Sequence, residues 1–410
     1  MILCAEQQKD CLMRGLLKLS ILFAGLVLAA CEPDASDSAC TVTPIEETEA
    51  LSTADIRRLA GPGFVDGSIS TFSARGNRYW ILPTVRFAKG TALVEHIFTK
   101  GPVHDIDAVK VGKWPEQELF GDAPGLKWIT NTFEADDGVL AFVHSEYVLP
   151  GQYFGATVIG KDGKPRKLRG PGHSRISLAW YPKPDPENRA PKFQFLGHII
   201  APFDELRFDA WNVHGTPYAV HTIDDEAWFH VYFFDTPEQG LQGHLAVARA
   251  KVEDVLRAAR NGEAARWQKY HQEGWTEGLG GRSRPLAEEH TIVHSDAAQS
   301  RNGRYFLANT FINDHKNSGK PSAIVLYGAC DPVNLKEIAR LRPISLPTKD
   351  ANDRRNHGWQ YLTIVDGDGT DNGTVGEELS FLVGYQYNKP ERYVARMRYR
   401  VSEDCACESQ

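Results

Sequence analysis

Three acids in this 410-residue chain stand at the edges of apolar runs, where a carboxyl can be held half out of water. They are Asp66 in Gly63-Phe64-Val65-Asp66-Gly67-Ser68, Glu146 in His144-Ser145-Glu146-Tyr147, and Asp296 in Val293-His294-Ser295-Asp296. General acid–base work needs one carboxyl kept protonated and one ionised, and burial near an apolar strand raises a carboxyl's affinity for its proton. Glu146 suits the acid, Asp66 the base or nucleophile, and Asp296 is a third candidate. His144, His214 and His294 occupy comparable places in three different repeats. Such histidines could form an open three-His metal site, serve as acid or base, or hydrogen-bond a ligand's hydroxyls. Arg282, beside Arg284 in Gly280-Gly281-Arg282-Ser283-Arg284-Pro285, could clamp a carboxylate. Asn212 sits near His214, and Trp128, Trp211, Trp275, Trp359, Tyr218 and Tyr361 could act as stacking platforms.

Those residues are positioned by a repeated hairpin. Trp211 to Thr236 reads as two β-branched and aromatic runs around Asp224-Asp225-Glu226, the pattern of half-buried strands joined by a polar turn. The same plan recurs around Arg75-Gly76-Asn77, Asp136-Asp137-Gly138 and Arg301-Asn302-Gly303, and around a longer loop from Asp366 to Asp371. Markers at Gly76, Gly138, Asp225, Gly303 and Gly369 are separated by 62, 87, 78 and 66 residues. Degenerate repetition at that period predicts an all-β, five-bladed propeller, with a two-sheet sandwich as the alternative. Val252, Val255, Leu256 and Ala259 fall at helical spacing and predict a short helical insertion in blade three, within residues 251–270. Blade five offers three clear strands, so a segment before Gly61 is expected to supply its fourth.

Arg14 and Lys18 precede the apolar run Ile21–Ala30, which ends in Leu28-Ala29-Ala30-Cys31. This resembles a bacterial lipobox and implies a signal peptide over residues 1–30 and lipidation of Cys31. An acidic tether, with the possible closing strand, then covers residues 31–60, and the propeller residues 61–410. The expected location is the bacterial cell envelope, with the membrane reached through the lipid. The run is too short to span a bilayer. With Cys31 acylated, Cys40, Cys330, Cys405 and Cys407 remain, an even number suited to disulfides in an oxidising compartment. The formal charge of -7, without a Lys/Arg run, argues against a nucleic-acid partner. No cofactor is called for; Asp366-Gly367-Asp368-Gly369-Thr370-Asp371 has the carboxylate density of a calcium loop but no Glu at the twelfth position.

Two stretches carry a family resemblance. Asp331-Pro332-Val333-Asn334-Leu335 closes a strand-turn-strand repeat, and the run from Leu245 to Trp275 is followed by GLGGRSRPL. They resemble the five-bladed propeller superfamily of arabinanases, invertases and levansucrases. The resemblance implies a saccharide site at the axis and three acids: a base or nucleophile Asp in blade one, a supporting Asp in blade two and an acid Glu in blade three. Asp66 matches the first. This chain has Asn131 at the second place and Asn212 and His214 at the third. The expectation is therefore a glycoside hydrolase-like enzyme with catalytic Asp66, Glu146 and Asp296. Its alternatives are a polysaccharide lyase using His144, His214, a Tyr and Arg282, or a non-catalytic glycan-binding surface lipoprotein. Asp66, Glu146, His214, His294 and Asp296 are expected to converge on one axial pocket.

Overall fold

The hairpins read from the sequence are the inner halves of five small, mainly antiparallel sheets. The computed structural model describes residues 41–402 apart from 89–90, 103–104, 106–107, 124, 148–156, 160–164, 168–172, 188, 201–211, 215–216, 237–243, 273, 278–282, 288–291, 302, 312–322, 342–357, 367–372 and 387–393. The expected signal peptide, Cys31, Cys40, Cys405, Cys407, Arg282 and most of the acidic 366–371 loop lie outside the described residues.

Blade one has an interrupted inner strand, Phe64–Val65 and Ser70–Ala74, paired to Asn77–Ala88 and followed outward by Thr91–Lys100 and Val109–Pro115. Blade two runs from Leu126–Ala135 through Gly138–Tyr147 and His173–Pro182 to Gln194–His198. Blade three begins with Asn212–His214 and Tyr218–Ile223, then Glu226–Thr236, His244–Lys251, Gln268–His271 and Gly274–Thr276. Blade four is Ile292–Ser300, Tyr305–Phe311, Ala323–Ala329 and Lys336–Leu341. Blade five is Gly358–Asp366, Glu378–Gln386 and Val394–Val401. Its outermost strand is Val42–Leu51, which precedes blade one in sequence and pairs antiparallel with Val394–Val401. The ring is thus joined through main-chain hydrogen bonds from both ends of the chain. A solvent-facing edge needs backbone partners more than apolar side chains, which explains how the acidic stretch VTPIEETEAL, within the segment read as tether and possible closing strand, forms that strand.

Turn chemistry sets the inner hairpins. Asp224 and Asp225 take φ of 52° and 61°, both central positions being left-handed, as a two-residue turn matched to strand twist requires. Alternation then sends one face of each sheet to the preceding blade and the other to the next, and five buried clusters fill the seams. Phe72, Tyr79 and Phe98 meet Ile129 and Ala141 between blades one and two. Phe142 and Trp180 meet Phe229 and Phe233 between two and three. Tyr232 and Val247 meet Tyr305 and Leu307 between three and four. Phe306 and Leu326 meet Phe381 and Met397 between four and five. Trp80 and Leu82 meet Val365 and Leu382 between five and one. Five seams between five sheets are what a closed five-bladed propeller demands.

Helix α1, Thr53–Ala60, is capped by Ser52 and Asp55 in a reciprocal pair and buries Ile56, Leu59 and Ala60 in the five–one seam. Helix α2, Glu116–Phe120, leads into blade two. Helix α3, Val252–Arg260, occupies the first part of the 251–270 insertion and ends at Asn261 and Gly262, with Gly262 at φ 79°, while Gln268–His271 is strand. Cys330 is disulfide-bonded.

Candidate active site

Glu146 is opposite Leu126, the first residue of blade two's inner strand. Asp66 comes directly after Val65, which is opposite Thr84, late in blade one's second strand. Second strands run antiparallel to inner strands, so both acids lie at the end of the ring where inner strands begin. Each is half-buried.

A continuous line of contacts joins them. The Tyr361 phenol, from blade five's inner strand, donates to Asp66 Oδ1, and the Asp66 amide donates to the Pro83 carbonyl at 3.0 Å. Gly67, at φ 152°, passes so close to Pro83 that an added Cβ would stand 2.9 Å from the proline Cβ and 3.5 Å from Trp128 Cδ1. The Trp128 ring centroid is 5.6 Å from that of His144, and His144 Nε2 is 3.0 Å from Glu146 Oε1. His144 and Glu146 keep 15% and 19% of their side-chain exposure, enough to meet a solute at the rim. Trp128 differs from the expected stacking platform: it is buried against Val85 and Val94, next to Gly67 and His144.

Asp296 is placed differently from Asp66 and Glu146, within the ring and not at its rim. It is 2% exposed, and its Oδ1 accepts from Asn131 Nδ2 at 3.0 Å and the Ala297 amide at 2.9 Å, while Oδ2 accepts from the Ile364 amide at 2.7 Å. Those donors belong to blades two, four and five. Burial drives its pKa well above the ordinary aspartate value, opposed by the two backbone donors. A carboxylate committed to three blades pins the ring at its inner strands, and Asn131 fits there because it donates where an aspartate would repel. Tyr218 is a second correction. It is 4% exposed, stacks on Phe142 with centroids 4.6 Å apart and donates its hydroxyl to the Thr132 carbonyl, so it belongs to the two–three seam. Trp275 lies against the Arg249 guanidinium, 4.3 Å from its ring centroid, on the outer part of blade three.

Asn212 and His214 are on the first segment of blade three's inner strand, opposite Thr236 and Phe234. His294 is opposite Thr310 near the start of blade four, and Trp359 opposite Tyr385 near the start of blade five. These register positions share the end occupied by Asp66 and Glu146; their side chains are outside what is described. Among the described residues no group of three or more His, Cys, Asp or Glu could hold a metal ion. Asp366, first of the acidic loop, accepts from Arg301 at 2.6 Å and from the Gly376 amide at 2.9 Å.

His96 belongs to none of the patterns read from the sequence. Its Nε2 accepts the Ile129 amide at 3.0 Å, tying blade one to blade two beneath Trp128. Val94, His96 and Phe98 share one face of the strand, but Glu95, Ile97 and Thr99 on the other face are buried as well, so no alternation in the sequence marked His96.

No family model and no curated protein matches the chain. Solved structures to which it is similar include the alpha-L-arabinofuranosidase PaAbf62A from Podospora anserina, in complex with cellotriose. That pair is 9% identical over 88% of this chain and 96% of the other, with a TM-score of 0.48. Zg3597, a family 117 glycoside hydrolase from the marine bacterium Zobellia galactanivorans, is 12% identical over 90% and 92%, with a TM-score of 0.47. An exo-1,5-alpha-L-arabinanase from a bovine ruminal metagenomic library is 10% identical over 82% and 94%, with a TM-score of 0.43.

Proposed function

We propose that the chain is a carbohydrate-active enzyme that hydrolyses glycosidic bonds, with Asp66 and Glu146 as its acid pair. The observation that carries this reading is that both are half-buried at the same end of the ring and each is held by a neighbour able to donate a proton. Glu146 and His144 share a hydrogen bond of 3.0 Å. A carboxyl and an imidazole in contact can pass a proton between them, so this pair supplies the acid for the departing sugar oxygen. Asp66, fixed by the Tyr361 hydroxyl, is the base or nucleophile on the other side of the bond. Trp128, packed next to Gly67 and His144, adds an apolar surface beside the pair.

The test is a screen of neutral and uronate-containing oligosaccharides, with reducing ends counted and products identified. Asp66→Asn and Glu146→Gln are each expected to lower turnover about 1,000-fold while the fold is retained. The anomeric configuration of the first product separates a nucleophilic Asp66 from a basic one. An unsaturated product absorbing in the ultraviolet would replace hydrolysis by elimination, and saccharide binding with no product at all would leave a glycan-binding protein.

A further inference from the structure

Tyr361 has a backbone that aromatic residues avoid. Its φ is 59°, in the left-handed region where a side chain crowds its own peptide and glycine is the usual occupant. The register around it explains how this is imposed. Gln360 is opposite Gly384 and Thr363 opposite Leu382, so two residues, Tyr361 and Leu362, face the single residue Val383. Such a bulge bends the strand and re-aims a side chain.

The residues just beyond the bulge are clamped. Leu362 is fully buried. Thr363 Oγ1 accepts the Ile69 amide at 2.8 Å and donates to the Ile69 carbonyl at 3.0 Å, fastening blade five to blade one. The Ile364 amide is fixed at 2.7 Å from Asp296. An irregular conformation persists only where its surroundings over-determine it, and these bonds do so. A regular strand would restore strict alternation and turn Tyr361 away from the seam. The bulge instead sends the phenol across it to Asp66 Oδ1.

We propose that Tyr361 is a positioning residue: the bulge in blade five exists to carry its hydroxyl across the five–one seam and fix the Asp66 carboxylate toward the axis. This replaces the stacking role that its type suggested. The inference rests on the reading of Asp66 as base or nucleophile, but its first test does not require turnover.

That test is Tyr361→Phe in the full chain, which keeps the ring and removes only the hydroxyl. The Asp66 carboxyl is followed by carbon-13 NMR, assigned by comparison with Asp66→Asn. A phenol that donates to the ionised carboxylate favours it, so its removal moves the Asp66 midpoint up. Tyr361→Asn suits the left-handed backbone, is too short to reach Asp66 and must move the midpoint the same way. With any substrate found in the screen, kcat falls about tenfold or more while KM stays within about threefold, and the acid limb of the rate profile shifts with the midpoint. An unchanged midpoint in both variants overturns the proposal. So does a raised KM with kcat intact, which would mark Tyr361 as a sugar contact. If no saccharide is cleaved, the titration still decides Tyr361, and only the hydrolase reading falls.

Discussion

At the scale of single residues the sharpest contrast is between acids that look alike in sequence. Asp66 and Glu146 are half-buried at strand ends, whereas Asp296 is sealed and spent on three N–H donors. Asp296→Ala would leave the Asn131 amide group and two backbone amides without their acceptor. Each stranded buried donor costs about 1–3 kcal/mol, so a loss on the order of 4 kcal/mol is expected in urea unfolding. Asp296→Asn keeps one carbonyl oxygen and should lose less. Were Asp296 a catalytic carboxylate, Asp296→Asn would instead abolish turnover at unchanged stability. Measuring both quantities on that one variant separates the roles. The sequence could not have done so: Asn131 is 165 positions away, and nothing local to Val293-His294-Ser295-Asp296 announces that a donor from blade two will meet it.

Elements were more legible than sites because turn chemistry and alternation are local. The Asp-Asp turn, the Arg-Gly turn and the apolar runs beside them identify the inner hairpins with no knowledge of the ring. Alternation tells which residues face a seam but not what waits across it, which is why Tyr218 and Trp128 read as platforms and proved to be packing. Helix α3 was readable for the same local reason. Its Val252, Val255 and Ala259 are buried in the two–three seam, while Arg260 makes a bidentate pair with Asp137, on the turn of blade two's inner hairpin, at 2.8 Å to each oxygen. Both charged groups are well exposed, so their pair adds little in water. Val255→Ala is therefore expected to cost about 2 kcal/mol. Arg260→Ala should cost less than about 0.5 kcal/mol. Equal losses in denaturant titrations would mean that the ion pair, not the apolar face, docks the helix.

For the whole molecule the seams make the response to acid predictable. His96, fully buried between blades one and two, has its pKa driven down to about 3 by burial. His198, hydrogen-bonded to Ser177 at 2.7 Å, is lowered to about 4, chiefly by burial and then by the charges of Arg175 and Lys127. Burial lowers His230, between blades three and four, and the half-buried His221 in the same direction. In the unfolded chain these imidazoles titrate near the ordinary value of 6.5. Below that value the unfolded state binds protons that the native state refuses, so their contribution is intact above 6.5 and drains away as pH falls toward 4 and 3. The slope approaches about 1.4 kcal/mol per pH unit for each proton taken up. Asp296 opposes this: its raised pKa makes the native state the better proton binder above the ordinary aspartate range, and its effect fades as pH rises. Burial raises the pKa of Glu116 in the same sense, and two such acids against four histidines leave the balance with the histidines, so stability should decline from pH 7 to pH 5. His96→Gln tests the assignment, because a glutamine oxygen can accept the Ile129 amide but takes up no proton. Urea unfolding across that range should lose about one proton's worth of slope in the variant. An unaltered slope would remove the one–two seam as a source of acid sensitivity and leave blades two and three, through His198 and His230, to account for it.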